Sequence, residues 1–164
     1  MRRNGFSVIE LLIAMLIVGI IAAIAMGNYF NAVNRAKQKR TMADMRAVAT
    51  AWEARAVDVR RYNASGAFTM PSVTVGDDEL AVMLMPTYVR AMSRTDGWGH
   101  ALDFHTDRAI GSSTAAASYA MRSTGRDGQL QGTSYIGGPT TDYDCDIVYA
   151  GGQFIVWPEG VQQK

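Results

Sequence analysis

The sequence has almost no cysteine, almost no net charge, and no proline in its first third. Its 164 residues include one cysteine, Cys145, which excludes an intramolecular disulfide framework and a zinc site built from cysteines alone. The 16 basic and 15 acidic side chains leave a net charge of +1. This balance argues against binding of nucleic acid through a strongly basic surface, so no nucleic-acid partner is expected. The absence of proline before Pro71 leaves room for a long helix.

A long apolar segment follows a short basic start. The 22 residues from Phe6 to Gly27 contain one charged side chain, Glu10, and they follow Arg2 and Arg3. A helix of this length reaches about 33 Å, which is enough to cross the hydrocarbon core of a membrane. The segment is therefore expected to enter a membrane.

Three interpretations fit a segment of this kind. In the first, it is a conventional secretion signal cut at the small residues Ala23-Ile24-Ala25, which leaves a secreted binding domain. In the second, it is a membrane anchor that is never cut. In the third, it is an anchor whose chain is cut after Gly5, so that the mature protein begins at Phe6.

Glu10 favours the third interpretation. A carboxylate inside an apolar segment is costly and usually has a partner and a function. Cleavage after Gly5 would create a free amine at Phe6, one helical turn from Glu10, and this amine is the natural counter-charge in the same or a neighbouring subunit. The helix dipole also favours an acid in the first turn. The alternative is a carboxylate at the membrane edge that reaches water by itself.

One stretch of sequence resembles the cleavage motif of type IV pilins and of the pseudopilins of type II secretion: Gly5-Phe6-Ser7-Val8-Ile9-Glu10-Leu11-Leu12. The resemblance implies that a prepilin peptidase removes residues 1–5 as a leader, cuts between Gly5 and Phe6, and methylates the new amino group of Phe6. It also implies that Glu10 directs assembly into a homo-oligomeric helical filament. The sequence departs from the family at Gly27, where the family usually has proline.

The helical pattern continues beyond Gly27 but becomes amphipathic. Apolar residues recur at intervals of three and four, at Met42, Met45, Ala49, Trp52, Ala56 and Val59. Such a stripe indicates a helix whose inner face packs on a small domain. We therefore expect one helix in two parts, residues 6–27 for the membrane and assembly and residues 28–60 for packing on the globular domain.

The charges on either side of the apolar segment do not by themselves place the C-terminal part outside the cytoplasm. Arg2 and Arg3 precede the segment, and more basic residues follow it: Arg35, Lys37, Lys39, Arg40 and Arg46. Basic residues favour the cytoplasmic side, although long domains often escape this rule. The resemblance implies the opposite orientation, a single-pass inner-membrane protein with its C-terminal domain in the periplasm.

Residues 61–164 form the predicted globular domain. They contain all four prolines and most of the glycines, which is typical of short elements joined by turns. The expected elements are a loop over Arg61–Asp78, a short helix within Glu79–Met92, a turn at Thr95–Gly99, and strands at Ala101–Thr106, Ala117–Ser123, Asp146–Ala150 and Gln153–Trp157.

Gly151-Gly152 links the last two predicted strands as a hairpin, which favours an antiparallel sheet. The predicted fold class is α+β, with a long protruding N-terminal helix packed on a small antiparallel sheet. The resemblance implies the same fold, the α/β roll of type IV pilins and pseudopilins.

Three segments of the C-terminal part look like the major pseudopilin of type II secretion: Asp96-Gly97-Trp98-Gly99, Ser123-Thr124-Gly125-Arg126-Asp127-Gly128 and Asp144-Cys145-Asp146-Ile147. The resemblance implies a periplasmic pseudopilus that drives export of folded proteins across the outer membrane. Its implied partners are the inner-membrane secretion platform and minor pseudopilins. A surface type IV pilin for adhesion or motility is the alternative.

The C-terminal part also contains an acidic run. Asp142, Asp144 and Asp146 stand at alternate positions, and Asp127 precedes them. Carboxylates this close repel one another unless water or a cation lies between them, and calcium takes about six to eight oxygen ligands. The major pseudopilin family has a calcium site in this loop, and the match implies Asp127, Asp144 and Asp146 as ligands, with Asp142 as an addition. A solvated acidic turn is the alternative.

No motif in the sequence indicates catalysis. His100 and His105 lack the further ligands of a zinc site, and neither a phosphate-binding loop nor a nucleophile motif occurs. Cys145 is expected to be a small buried hydrophobic residue rather than a reactive thiol. The sequence therefore indicates a structural protein and not an enzyme.

Overall fold

The structure of the protein is a computed structural model that describes residues 6–59 and 68–162. The chain divides into two compact units, Met1–Arg35 and Ala36–Lys164. The predicted leader, including Gly5, lies outside the described residues, as do residues 61–67 of the predicted loop.

Helix α1 runs from Val8 to Val59 without a break, as predicted. It continues through Gly27 because one glycine costs about 1 kcal/mol relative to alanine, too little to end a long helix. In the first unit, every side chain of residues 6–32 is exposed. Among the described residues, α1 is the one helix long and apolar enough to cross a membrane, a property that signal sequences share.

In the second unit, α1 forms one side of the main hydrophobic core. The predicted stripe is buried or half-buried at the positions whose side chains are described: Met42, Met45, Ala49 and Trp52. Val48 and Ala51 are buried beside them and widen the stripe. The side chains of Ala56 and Val59 lie outside the described part of the chain. Burial of each large side chain contributes roughly 1.5–3 kcal/mol, so this face holds the helix on the domain.

The remaining elements build two sheets. In chain order they are β1 (Phe68–Thr69), β2 (Val73–Val75), α2 (Asp77–Leu84), β3 (Asp103–Thr106), β4 (Tyr119–Ser123), β5 (Ser134–Tyr135), β6 (Gly138–Thr140), β7 (Ile147–Ala150) and β8 (Gln153–Pro158). The larger sheet has the order β2-β3-β4-β7-β8-β6, and β1 pairs with β5 in a separate two-stranded sheet.

Side chains of the central strand β4 alternate between two cores. Tyr119 and Met121 pack in the core that contains α1 and α2, whereas Ala120 packs with Met70 and Tyr135 on the opposite face. Successive residues of a strand point to opposite faces, and both faces of β4 are covered. This explains why all of β4 is buried.

The four predicted strands are present as β3, β4, β7 and β8. Gly151 and Gly152 have φ angles of 54° and 89°, the left-handed values that a two-residue hairpin turn needs. The predicted short helix is α2, which begins earlier than expected, at Asp77. It ends before Met85 because the following Pro86 disfavours the helical conformation there.

Two expectations are wrong. The described part of the loop predicted over Arg61–Asp78 contains β1, β2 and the start of α2. The larger sheet is not wholly antiparallel, because β6 lies parallel to β8 with Gly138 opposite Val156. The α+β class, a long helix packed on a small and mainly antiparallel sheet, is confirmed.

Candidate functional site: helix start and acidic loop

Glu10 closes the first turn of α1. Ser7, the residue before the helix, donates its backbone N–H to Glu10 Oε2 at 2.9 Å, and its carbonyl accepts the N–H of Glu10 at 3.1 Å. A glutamate at the third helical position that bonds back in this way is half of a capping box. The Ser-x-x-Glu spacing is visible in the sequence, so this second role of Glu10 was predictable.

Phe6 and Glu10 lie at the exposed start of the apolar helix. Phe6 is 79% exposed, and Glu10 is exposed as well. The carboxylate is hydrogen-bonded to the residue next to Phe6, so it lies one residue from the predicted new N-terminus. Gly5 lies outside the described residues, and cleavage after it stays a prediction.

In the acidic loop, Arg126 holds Asp144 with both ends of its guanidinium. Arg126 Nε donates to Asp144 Oδ1 at 2.7 Å, and a terminal nitrogen of Arg126 donates to Oδ2 at 2.9 Å. The guanidinium also lies 5.8 Å from the centre of the Tyr143 ring. Two parallel bonds of this kind fix orientation as well as distance. One predicted calcium ligand is thus already paired with a cation.

The charges of two more predicted ligands act on the same guanidinium. Asp142 accepts the backbone N–H of Asp144 at 3.0 Å, and Asp127 accepts that of Gln129 at 2.9 Å. The pKa of Arg126 lies above its ordinary value, chiefly because of the hydrogen bonds to Asp144, and the negative charges of Asp142 and Asp127 add to the effect. Three of the four aspartates therefore act on one arginine.

Asp146 is the buried member of the set. Its side chain is fully buried, and Oδ2 accepts the Tyr135 hydroxyl at 2.6 Å and the backbone N–H of Gln131 at 3.1 Å. Oδ1 is also buried but has no hydrogen-bond partner among the residues that the structure describes. Burial raises the pKa of Asp146, because a charge away from water is unfavourable. Burial, and the bond to this carboxylate, raise the pKa of Tyr135 to about 12.

A buried arginine that was not predicted from the sequence, Arg122, bonds to the same Tyr135 hydroxyl as Asp146. Arg122 is 4% exposed and donates to Asp103 Oδ2 at 2.8 Å, to the carbonyl of Gly132 at 2.7 Å, and to the Tyr135 hydroxyl at 2.9 Å. Burial lowers the pKa of Arg122, but the bonds to Asp103 and Tyr135 outweigh this and leave it above the ordinary value. An arginine within a strand of buried residues is the signal that could have revealed it.

The side chain of Asp96 stabilises the turn Asp96–Gly99 and links it to β4. Asp96 Oδ1 accepts the backbone N–H groups of Trp98, Gly99 and His100, each at 2.9 Å, and Oδ2 accepts the Ser123 hydroxyl at 2.8 Å. A buried carboxylate with this many donors fixes both the turn and its distance from β4.

The two histidines bond to different loops, and the cysteine is half-buried. His100 Nδ1 bonds the carbonyl of Gly125 at 2.9 Å and His105 Nδ1 bonds that of Pro71 at 3.1 Å, so each serves a different loop. Cys145 is half-buried rather than buried. Within residues 6–59 and 68–162, no three His, Cys, Asp or Glu side chains are gathered closely enough to hold a metal ion. Calcium binding by Asp127, Asp142, Asp144 and Asp146 therefore stays a prediction.

Comparison with known proteins concerns the N-terminal segment. Residues 1–26 match the family described as the prokaryotic N-terminal methylation motif, which supports a type IV pilin-like protein. The match implies processing by a prepilin peptidase and filament assembly in general. Together with the apolar helix α1, it fits a single-pass, membrane-anchored structural subunit. No match was found among curated proteins or solved structures.

Proposed function

We propose that this protein is the structural subunit of a type II secretion pseudopilus, assembled from the inner membrane into a periplasmic filament that drives export of folded proteins. The observation that carries the proposal is Glu10, an acid one residue from the predicted N-terminus of an exposed apolar helix that matches the methylation motif. An exposed apolar surface of this length needs lipid or neighbouring helices to cover it.

Contacts between the three segments that resemble the major pseudopilin support the finer assignment. Asp96 accepts the Ser123 hydroxyl at 2.8 Å, which links the first segment to the second. Arg126 pairs with Asp144, which links the second to the third. Segments far apart in sequence that bond to one another in this way form one structural unit, as expected if they are a shared feature of one family.

The proposed assembly step is a charge pair between subunits. After cleavage, the Phe6 amine of one subunit meets Glu10 of another, and the apolar helices exclude water around the pair. Unpaired charges are expensive where hydration is lost, so the pair fixes the axial register of the helices. The apolar side chains of α1 supply the packing area.

Substitution of Glu10 tests the pairing role against the capping role. Glu10→Gln keeps an oxygen that can accept the Ser7 N–H but removes the charge, whereas Glu10→Ala removes both. Loss of one partner of a buried charge pair costs about 3–5 kcal/mol. This is well above the roughly 1.4 kcal/mol that corresponds to a tenfold change in an association constant. We expect both variants to lose at least about tenfold in sedimentable filament.

Cleavage of the leader is the internal control, and it should be normal in both Glu10 variants. If Glu10→Gln assembled like the wild type while Glu10→Ala did not, the glutamate would act as a helix cap and the charge pair would be wrong. Normal filaments in both variants would exclude any assembly role.

Deletion of the gene separates the two filament classes. A pseudopilus subunit is required for export of folded proteins to the medium, whereas loss of a type IV pilin abolishes surface fibres, adhesion or motility and leaves export intact. Export that continues in the deletion strain would favour the surface pilin.

We also propose that the acidic loop binds calcium as a structural ion through Asp127, Asp142, Asp144 and Asp146. The buried Oδ1 of Asp146, which has no hydrogen-bond partner among the described residues, supports this, because carboxylate oxygens are ligands that calcium prefers. The bond between Arg126 and Asp144 opposes it, and so does the finding that no three of the described His, Cys, Asp and Glu side chains lie close enough to hold a metal ion. Bound calcium would tie the loop to the end of β7 and keep the subunit surface in shape.

A further inference from the structure

We propose that residues 35–40 of α1, the basic segment, bind the anionic phospholipid headgroups of the membrane that α1 enters. The inference rests on insertion of α1 into a membrane, which the proposed function requires. It goes beyond that function because it names a class of lipid as a partner of the protein. It also assigns a binding role to side chains that belong neither to the apolar segment nor to the hydrophobic core.

The basic segment concentrates positive charge that nearby acids do not balance. Four of its six residues are basic: Arg35, Lys37, Lys39 and Arg40. No acidic residue occurs between Glu10 and Asp44, and the carboxylate of Asp44 lies 3.6 Å from the guanidinium of Arg40. The other three basic side chains form no ion pair within the described part of the chain. Such a group of unpaired cations attracts an anionic surface.

The place of the basic segment along α1 fits the headgroup layer. Just before it, Tyr29 and Phe30 are exposed, and the centres of their rings lie 5.9 Å apart. Tyrosine is typical of the boundary between hydrocarbon and water. On the same unbroken helix, the basic segment begins about 8 Å and ends about 15 Å beyond Phe30. Headgroups occupy about 5–8 Å on each side of the hydrocarbon, and long basic side chains can reach back to them.

A lipid surface fits this arrangement better than one protein partner. Successive residues of a helix are turned by about 100°, so Arg35 and Lys37 point to nearly opposite sides, and Lys39 and Arg40 lie between them. The side of the helix that these charges leave free is that of Gln38, which is buried against the domain. A protein partner contacts one face of a helix, whereas headgroups surround a helix that enters a membrane. The spread of the charges therefore favours lipid.

Acylation of lysine amines in the full-length protein tests the inference, because the sequence has three lysines: Lys37, Lys39 and Lys164. The protein is reconstituted at one copy per nanodisc, in phosphatidylcholine alone or with about a quarter of phosphatidylglycerol. Mass spectrometry of peptides gives the rate at each lysine with a water-soluble reagent. We expect Lys37 and Lys39 to react roughly threefold more slowly in the anionic discs, because an anionic surface concentrates protons and leaves less neutral amine.

Lys164 is the internal control, and its rate should be equal in the two kinds of disc. Sodium chloride at about 1 M shortens the screening length to about 3 Å and should remove most of the difference at Lys37 and Lys39. Inorganic phosphate added to discs of phosphatidylcholine should not slow either lysine. If free phosphate protected them as well as the anionic lipid does, the segment would bind anions in general and the assignment to a lipid surface would be wrong.

Replacement of two lysines tests binding itself. Energy transfer from the tryptophans of the protein to a fluorescent phosphatidylglycerol measures how strongly this lipid gathers around the chain. Each basic residue near a membrane surface strengthens association about fivefold, so Lys37→Gln/Lys39→Gln should lose at least about fivefold in lipid preference. The matched control, Arg90→Gln/Arg108→Gln, removes two exposed basic residues outside α1 and should behave as the wild type. Equal losses in both double variants would show a general effect of net charge and would overturn the inference.

The outcomes separate this inference from the proposed function. Equal acylation rates of Lys37 and Lys39 in the two kinds of disc would overturn headgroup binding, while co-elution of the protein with the discs would still support membrane insertion. Failure to enter either kind of disc would overturn both. Slower acylation in phosphatidylcholine discs that hold two copies, but not in those that hold one, would identify a second copy as the partner and overturn the choice of lipid.

Discussion

At the scale of single residues, Glu10 and Asp146 show how the surroundings of a carboxylate decide its use. Glu10 is exposed and bonded to the Ser7 N–H, so it can exchange this weak bond for a stronger charge partner. Asp146 is fully buried with one oxygen unpartnered, so it cannot reach water. The sequence predicted a role for Glu10 from the apolar segment around it and a role for Asp146 from the family resemblance, and both roles stay predictions. It could not predict Arg126 opposite Asp144, because that pair depends on how a long loop closes.

His105 gives a pH dependence of stability. Burial, and then the charge of Arg122, lower the pKa of His105, although Asp103 and the carbonyl of Pro71 act the other way. Below its ordinary pKa, about 6.5, the unfolded chain binds a proton that the folded chain does not, so stability is lost as the pH falls through that value towards the lowered one.

The test compares wild type with His105→Gln, in which the amide can still donate to Pro71. Unfolding by urea, followed by tryptophan fluorescence, should show that the free energy of unfolding falls more steeply in the wild type between about pH 7.5 and about pH 5. Parallel curves for the two proteins would contradict the assignment.

At the scale of elements, length and alternation decide what the sequence can predict. The strands β3, β4, β7 and β8 each have at least four residues and were predicted. The strands β1, β2, β5 and β6 have two or three residues, too few for a period of two to stand out. Pro139 and Gly138 also argue against β6 as a strand, yet β6 lies at the sheet edge, where a missing donor is tolerated.

The contact between the Asp96–Gly99 turn and α1 requires glycine. Gly97 donates its N–H to Thr41 Oγ1 at 2.8 Å, and a Cβ atom at Gly97 would lie 2.4 Å from the carbonyl oxygen of Lys37. Because this oxygen belongs to the helix backbone, it cannot move aside without distorting α1. We expect Gly97→Ala to lower the free energy of unfolding by about 1–3 kcal/mol.

Gly76→Ala is the control for Gly97→Ala. It adds the same methyl group, but the nearest atom to the new Cβ would be Glu79 Cβ at 3.9 Å, and the φ of Gly76 is −62°. We expect a change within roughly 0.5 kcal/mol. Equal losses for the two variants in chemical denaturation would show that close approach to Lys37 is not the reason for glycine at position 97.

At the scale of the whole molecule, the two units of the chain differ in how much apolar surface they expose. In Met1–Arg35 the apolar side chains of α1 are exposed, for example Leu12 at 62% and Ile24 at 70%. In Ala36–Lys164 the large apolar side chains are mostly buried, as in any folded domain. The second unit thus buries its apolar side chains within itself, whereas the apolar surface of the first unit needs lipid or further copies of the chain to cover it. The sequence changes at a different place, from an apolar run that ends at Gly27 to an amphipathic stripe.

The sequence of the mature N-terminus tests the central claim most directly. Mass spectrometry of the protein isolated from membranes should find a chain that begins at Phe6 with a methylated amino group. A chain that begins at Met1 would identify an uncut anchor, and one that begins at Met26 would identify a secretion signal. Either result would contradict the proposed filament subunit, because an uncut chain has no free amine at Phe6 and a chain that begins at Met26 has lost Glu10 itself.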